Sequence, residues 1–226
     1  MVRMMSALAL CLCFPWSAAA QSTHDAQQWT LLLATLRPTS DWRVHLELQP
    51  RLGRGDDLTA LDQMLGRWAV GRQVTPRVSV WAGHAWAGNF RSTGNVHEQR
   101  LWQQVSVALP TAGDWSPSLR FRLEQRFVDE WSGSSHRVRA LGRLARPLDQ
   151  EGRWSLALWD ELFLTLDDTP AGPADGLDRN RLFGGVRRRL TPMANLEMGY
   201  LWQAARPRVG PRQHVHAAFV WLDLTL

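Results

Sequence analysis

The chain contains no lysine, so all 26 of its positive side chains are arginine. A guanidinium stays protonated at any ordinary pH and presents a flat fork of donors that matches a carboxylate. Polar pairing is therefore expected to be Arg–Glu and Arg–Asp throughout. Cysteine is confined to Cys11 and Cys13, which leaves everything after residue 20 without a thiol, a disulfide or a Cys-ligated metal site. Beyond that point no apolar run approaches the roughly 20 residues that a membrane helix needs. Any membrane span must then be a closed barrel, since only helices and closed barrels satisfy every backbone polar group in lipid.

The first twenty residues have the three-part layout of a secretory signal peptide. Arg3 supplies the positive start, Ala7 to Phe14 the short apolar core, and Ala18-Ala19-Ala20 the small residues of a cleavage point. Cleavage is expected after Ala20, with 1–20 as signal peptide and 21–226 as one domain. A lipoprotein reading would use Cys11, but Leu10 before it is bulky and the position is too early. The formal charge of +5 raises the question of an anionic partner. The arginines are spread along the chain, and the one dense run, Arg187-Arg188-Arg189, reads as a strand end near lipid headgroups. No nucleic-acid partner is expected.

What the chain has in abundance is alternation. Trp42, Val44, Leu46 and Leu48 interleave with Arg43, His45, Glu47 and Gln49, and Leu119, Phe121 and Leu123 with Arg120, Arg122 and Glu124. Val138 and Ala140 interleave with Arg137 and Arg139 in the same way. A period of two puts each set on one face of a strand. Eleven candidate strands follow: 27–36, 41–51, 61–74, 76–88, 97–109, 116–128, 135–146, 153–166, 178–190, 194–206 and 212–226. Most are ten residues or longer, as tilted membrane strands are (about 9–11) and as strands of soluble sheets (about 5–6) are not.

Short links are read at 37–40, 75–76 and 191–192, and longer ones at 53–60, 88–96, 129–135 and 167–177. Alternating short and long links suit an outer-membrane barrel. Such barrels ordinarily have an even strand number, so ten or twelve strands are expected, unless the first and last pair in parallel. The fold class is therefore all-β: a closed antiparallel up-and-down transmembrane β-barrel of about 10–12 strands, following the signal peptide. Val220, Leu222, Leu224 and Leu226 end the chain on an apolar face of the kind that barrel-assembly machinery reads, although Leu226 is not aromatic.

In a membrane barrel the polar parity faces the lumen. That places Arg43, Glu47, Glu98, Arg100, Arg122, Glu124, Arg126, Arg137, Arg139, Glu161, Arg179, Arg181 and Glu197 in one candidate polar network. Trp rings favour the membrane interface, and Trp42, Trp68, Trp154 and Trp202 on the apolar parity are the candidate girdle against outer-membrane lipids. Trp102, Trp159 and Trp221 fall on the polar parity and are expected inside.

Several segments together look like a bacterial family catalogued as domain of unknown function 2490. They are Glu98-Gln99-Arg100-Leu101-Trp102-Gln103-Gln104, Arg122-Leu123-Glu124-Gln125-Arg126-Phe127, Arg137-Val138-Arg139 and Asp160-Glu161-Leu162-Phe163. Asp178-Arg179-Asn180-Arg181-Leu182-Phe183-Gly184-Gly185-Val186 and Glu197-Met198-Gly199-Tyr200-Leu201-Trp202-Gln203 complete the ordered set. The resemblance implies an outer-membrane barrel and carries no activity, cofactor or catalytic residue.

Motifs for chemistry are sparse. There is no Gly-rich phosphate loop and no His-Glu-x-x-His. His214 and His216 share a strand face, with no third metal ligand nearby in sequence, and neither a metal nor a cofactor is expected. His45, His84 and His136 are the histidines that a lipid- or lipopolysaccharide-acting enzyme would draw on, but no serine has a nucleophile-like context. Asp178-Arg179-Asn180-Arg181 reads as a salt-bridged plug that fixes strand register, in preference to a lumen network that lines a pore or binds an anionic solute. The expected protein is a structural or solute-interacting outer-membrane barrel with a narrow, largely filled lumen. An outer-membrane enzyme and a soluble periplasmic barrel for an apolar ligand are the alternatives.

Overall fold

A computed structural model describes residues 22–91, 94–129, 131–169 and 175–226. The expected signal peptide lies outside the described residues. Eleven strands form: β1 (Ser22–Leu36), β2 (Trp42–Arg54), β3 (Asp57–Thr75), β4 (Val78–Arg91), β5 (Gly94–Ala108), β6 (Ser116–Val128), β7 (Ser135–Pro147), β8 (Trp154–Thr165), β9 (Gly176–Thr191), β10 (Ala194–Ala205) and β11 (Arg212–Thr225). No described residue is helical. Each strand pairs with its sequence neighbours, and β1 pairs with β11 to close the barrel.

Closure corrects one expectation. The strand number is eleven, not ten or twelve, and the closing pair is parallel, from Ser22↔Arg212 to Thr35↔Thr225. The reason is topological: an odd number of alternating strands leaves the first and last running the same way. All other pairs are antiparallel. At the C-terminal rim the seam is fastened by the Arg37 amide donating to the Leu226 carbonyl and the Leu226 amide donating to the Thr35 carbonyl, both at 2.9 Å.

The link lengths also differ from those read in the sequence. The stretches 53–60 and 88–96 are mostly strand, because β2 runs on to Arg54, β3 starts at Asp57, and β4 and β5 run to Arg91 and from Gly94. Polar residues on both faces erase the alternation there, but the backbone pairing continues through Arg54↔Asp57 and Arg91↔Gly94. Gly55, at φ 56°, supplies the left-handed position of the β2–β3 turn. Links of intermediate length instead occupy 109–115 and 148–153.

The alternation resolves into two faces of opposite character. Pointing out are Leu46, Leu48, Trp68, Leu101, Phe121, Leu144, Leu182 and their row-mates, all more than a third exposed. Pointing in are charged side chains such as Arg100, Arg122, Glu124, Arg137, Arg139 and Glu161, none more than 7% exposed. The interior is itself divided. An apolar cluster of Trp29, Trp159, Phe183, Leu201 and Phe219 covers the wall of β8–β11 and β1, with Trp159 stacked on Phe183 at 5.1 Å between centroids. The wall of β2–β7 is mostly polar, with Trp102 packed on Ala69 and Ala85. Gly71 makes room on that wall for Trp81, since a Cβ there would lie 2.2 Å from the indole ring.

Candidate functional site

The densest chemistry lies inside the barrel. Glu124 on β6 accepts from the Nε and Nη2 of Arg137 at 3.0 and 2.6 Å, and from the Nη1 of Arg139 at 2.7 Å. Arg139 turns its other edge to Glu161 on β8, donating through Nε and Nη2 at 3.0 and 2.7 Å. Glu161 also accepts from Arg120 at 2.6 Å and has Arg181 at 3.7 Å. One guanidinium thus bridges two carboxylates on opposite neighbouring strands. Glu98 forms a second node, bidentate to Arg100 at 2.8 Å for both bonds and also bound by Arg126. Arg67 reaches Glu47 across β2–β3, and Arg143 reaches Glu197 across the lumen.

Such pairing is what makes these charges tolerable. A buried ion costs several kcal/mol in effective desolvation, which is offset only by close geometry and satisfied donors. Aromatic faces take up remaining positive charge. The Phe163 ring has Arg139 and Arg181 each 4.6 Å from its centroid, and Arg137 at 5.2 Å. Arg51 lies 3.8 Å over Trp29, and Arg122 lies 4.2 Å over Trp102.

Most residues singled out in the sequence come together in this network: Glu47, Glu98, Arg100, Arg122, Glu124, Arg126, Arg137, Arg139, Glu161, Arg181 and Glu197. Arg179 joins through the Phe163 ring, at 5.7 Å. Arg43 does not join, because its guanidinium folds back onto the carbonyls of Thr39, Ser40 and Trp42 at the C-terminal rim. Sequence reading missed Arg51, Arg67, Arg120, Arg143 and Arg187. They share the parity of the residues that were found, which is the signal that would have identified them. Asn180 leaves the Asp178–Arg181 cluster, because it points outward and bonds Asp160.

On the outer face Trp42, Trp68 and Trp154 are exposed, and Trp202 is half-buried against His214 at 5.7 Å. Three outward aromatic–arginine pairs mark the C-terminal rim: Trp42–Arg72 at 5.9 Å, Trp115–Arg146 at 5.8 Å and Trp154–Arg188 at 5.2 Å. The Arg187–Arg189 run is split by the strand. Arg187 turns in to Asp223, Arg188 turns out to Trp154, and Arg189 bonds the Glu151 carbonyl. Trp102 and Trp159 are buried inside, and Trp221 lines the lumen.

The parallel seam supplies a neighbour that the sequence did not suggest for His214 and His216. His24 on β1 stacks on His214 at 5.0 Å, and its Nδ1 lies 3.0 Å from His216 Nε2. The Tyr200 hydroxyl is 2.6 Å from His216 Nδ1. Among the described residues no group of His, Cys, Asp or Glu is arranged to hold a metal ion. Inside the barrel His45 bonds Glu47 at 3.3 Å, whereas His84 packs on Trp68 and His136 bonds Asp167 on the outer side.

Toward the C-terminal rim the lumen opens into a cavity of about 550 Å³. Its floor is the Arg/Glu network, and its mouth is formed by Gln73, Pro76, Arg77, Ala108 and Ser118.

A model of the family described as protein of unknown function (DUF2490) matches residues 26–214, from β1 to the start of β11. An uncharacterized protein of Methylorubrum extorquens is 33% identical over 193 residues, which is 84% of this chain and 82% of that protein. No solved structure matches the chain.

Proposed function

The chain belongs to the DUF2490 family, whose function is unknown, and from its geometry we propose that it is an outer-membrane β-barrel closed to free diffusion by its Arg/Glu network, with an internal pocket that takes up a solute. The observation that carries this reading is the inverted polarity of the barrel. A water-soluble barrel turns apolar side chains in and charged ones out. Here Leu46, Trp68, Phe121 and Leu182 lie outside, and Glu124, Arg137, Arg139 and Glu161 lie inside. Leaving a continuous apolar band in water is unfavourable at ~25 cal/mol per Å², whereas lipid removes that cost. The strands, 12 to 19 residues long, exceed the roughly 9–11 needed to cross the hydrocarbon core, and the aromatic–arginine pairs suit its headgroup boundary.

The export signal read in residues 1–20 and the apolar last strand fit this location, with outer-membrane lipids and the barrel-assembly machinery as partners. Expression of the full chain in a Gram-negative host tests the reading. The protein is expected in the outer-membrane fraction, with gel mobility that differs before and after boiling. Recovery of folded protein in the soluble periplasm would overturn it in favour of a soluble barrel. One observation favours a lipid-acting enzyme as the second reading: the Tyr200–His216–His24 chain lies on the outer face, where lipid would reach it. A lipid profile that changes on expression, and reverts with His216→Ala, would establish that alternative.

A further inference from the structure

The cavity at the C-terminal end of the lumen has two unlike walls. One is built by the apolar strands, with Trp29, Leu33, Trp159, Leu201, Phe219 and Trp221 facing it. The other carries charge, and the charge is one-sided. Seven arginines line the cavity (67, 77, 120, 122, 139, 143 and 181), against two glutamates, Glu47 and Glu161. Adding Glu124 and Glu197, which pair with lining arginines from behind, still leaves three positive charges in excess. Enclosed by low-dielectric walls, a surplus of one sign raises the potential along the whole cavity and concentrates anions there.

Donors are also left over. Three residues of the lining, Trp159, Trp221 and Arg67, carry buried N–H groups (the two indoles and the Nε) that meet no acceptor among the described residues. The volume, about 550 Å³, falls in the range of small-molecule pockets, roughly 300–1,000 Å³. An inorganic anion would fill little of it and leave the aromatic wall in water. A neutral hydrocarbon would leave the arginines uncompensated.

We infer that this cavity binds a single-chain anionic amphiphile, with its carboxylate or phosphate on the Arg67, Arg120, Arg122 and Arg139 side and its chain along Trp159, Leu201, Phe219 and Trp221. The inference deepens the solute-binding part of the proposed function and does not depend on the membrane location. The ligand enters from the C-terminal rim, past Arg77, whose exposed charge draws it in.

Photolabelling of the full-length folded barrel tests the assignment, with a diazirine-bearing dodecanoate as probe and peptide mass spectrometry to locate the label. Gel mobility before and after boiling confirms that each sample is folded. Label is expected on lumen residues such as Leu141, Leu201 and Trp221, suppressed by excess dodecanoate but not by dodecanol, acetate or inorganic phosphate. Arg120→Gln combined with Arg77→Gln is expected to weaken lumen labelling about tenfold, the effect of losing a charge-assisted hydrogen bond. Label confined to outward residues such as Leu46 and Leu182 overturns the inference, as does equal competition by dodecanol. Suppression by phosphate alone would mean that the cavity holds an inorganic anion, which overturns the amphiphile. Because labelling is read on folded protein in micelles, a negative result would leave the membrane reading standing. Recovery in the soluble periplasm would leave the ligand standing.

Discussion

At the scale of single residues, the network works by sharing. Glu124 accepts from both Arg137 and Arg139, so Glu124→Gln removes a charge on which two buried cations depend. Breaking a buried pair from one side costs about 3–5 kcal/mol. Glu124→Gln is therefore expected to lower the urea midpoint of the refolded barrel in micelles sharply, and an unchanged midpoint would show that Arg137 and Arg139 are compensated elsewhere. On the outer face the sensitivity is reversed. Leu182→Arg puts a cation among exposed apolar neighbours, and a lipid-facing arginine near mid-bilayer costs about 2–4 kcal/mol. Folding yield into lipid vesicles should fall for this variant; full yield would argue against lipid at that face. Which side chains are charged, and on which parity, was legible in the sequence. Which arginine meets which glutamate was not: Arg67 faces Glu47 and Arg143 reaches Glu197 only through strand register and barrel curvature. Arg43 shows the converse, having the correct parity but a position too near the rim to reach a partner inside.

At the scale of elements, alternation located all eleven strands because one face of each is apolar along most of its length. It failed where that contrast ends. The polar ends of β2 to β5 resembled loops, although their backbones remain paired. The parallel seam was open in the sequence as one of two options, and nothing local distinguishes a parallel from an antiparallel partner for β1. The seam is also what brings His24 to His214 and His216. Its register can be checked directly. Thr30 and Val220 are opposite neighbours across it, and no cysteine follows residue 20 to interfere. Thr30→Cys with Val220→Cys is expected to cross-link on mild oxidation, observed as a gel shift reversed by reductant. Cross-linking of Thr30→Cys with Leu224→Cys in place of that pair would contradict the register.

At the scale of the whole molecule, two asymmetries coexist. Across the wall, polarity is inverted relative to a soluble barrel. Along the axis, the lumen is packed with buried side chains, including Glu98, Arg100, Arg137 and Asp178, and a cavity opens toward the C-terminal rim. A filled lumen predicts that the purified barrel shows no steady open-channel conductance in planar bilayers, and a stable porin-like current would contradict the plug. The proposed membrane location rests on the first asymmetry, and the proposed amphiphile on the second.

The measurement that bears most directly on the inverted polarity is a spin-label scan along β6, from Leu119 to Phe127, on the barrel in lipid. Labels at Leu119, Phe121, Leu123, Gln125 and Phe127 should collide with oxygen dissolved in lipid, and those at Arg120, Arg122, Glu124 and Arg126 should be shielded from it, with a period of two. A scan in which the odd-numbered sites are instead immobile and shielded, with the even-numbered sites open to a water-soluble nickel chelate, would contradict the account.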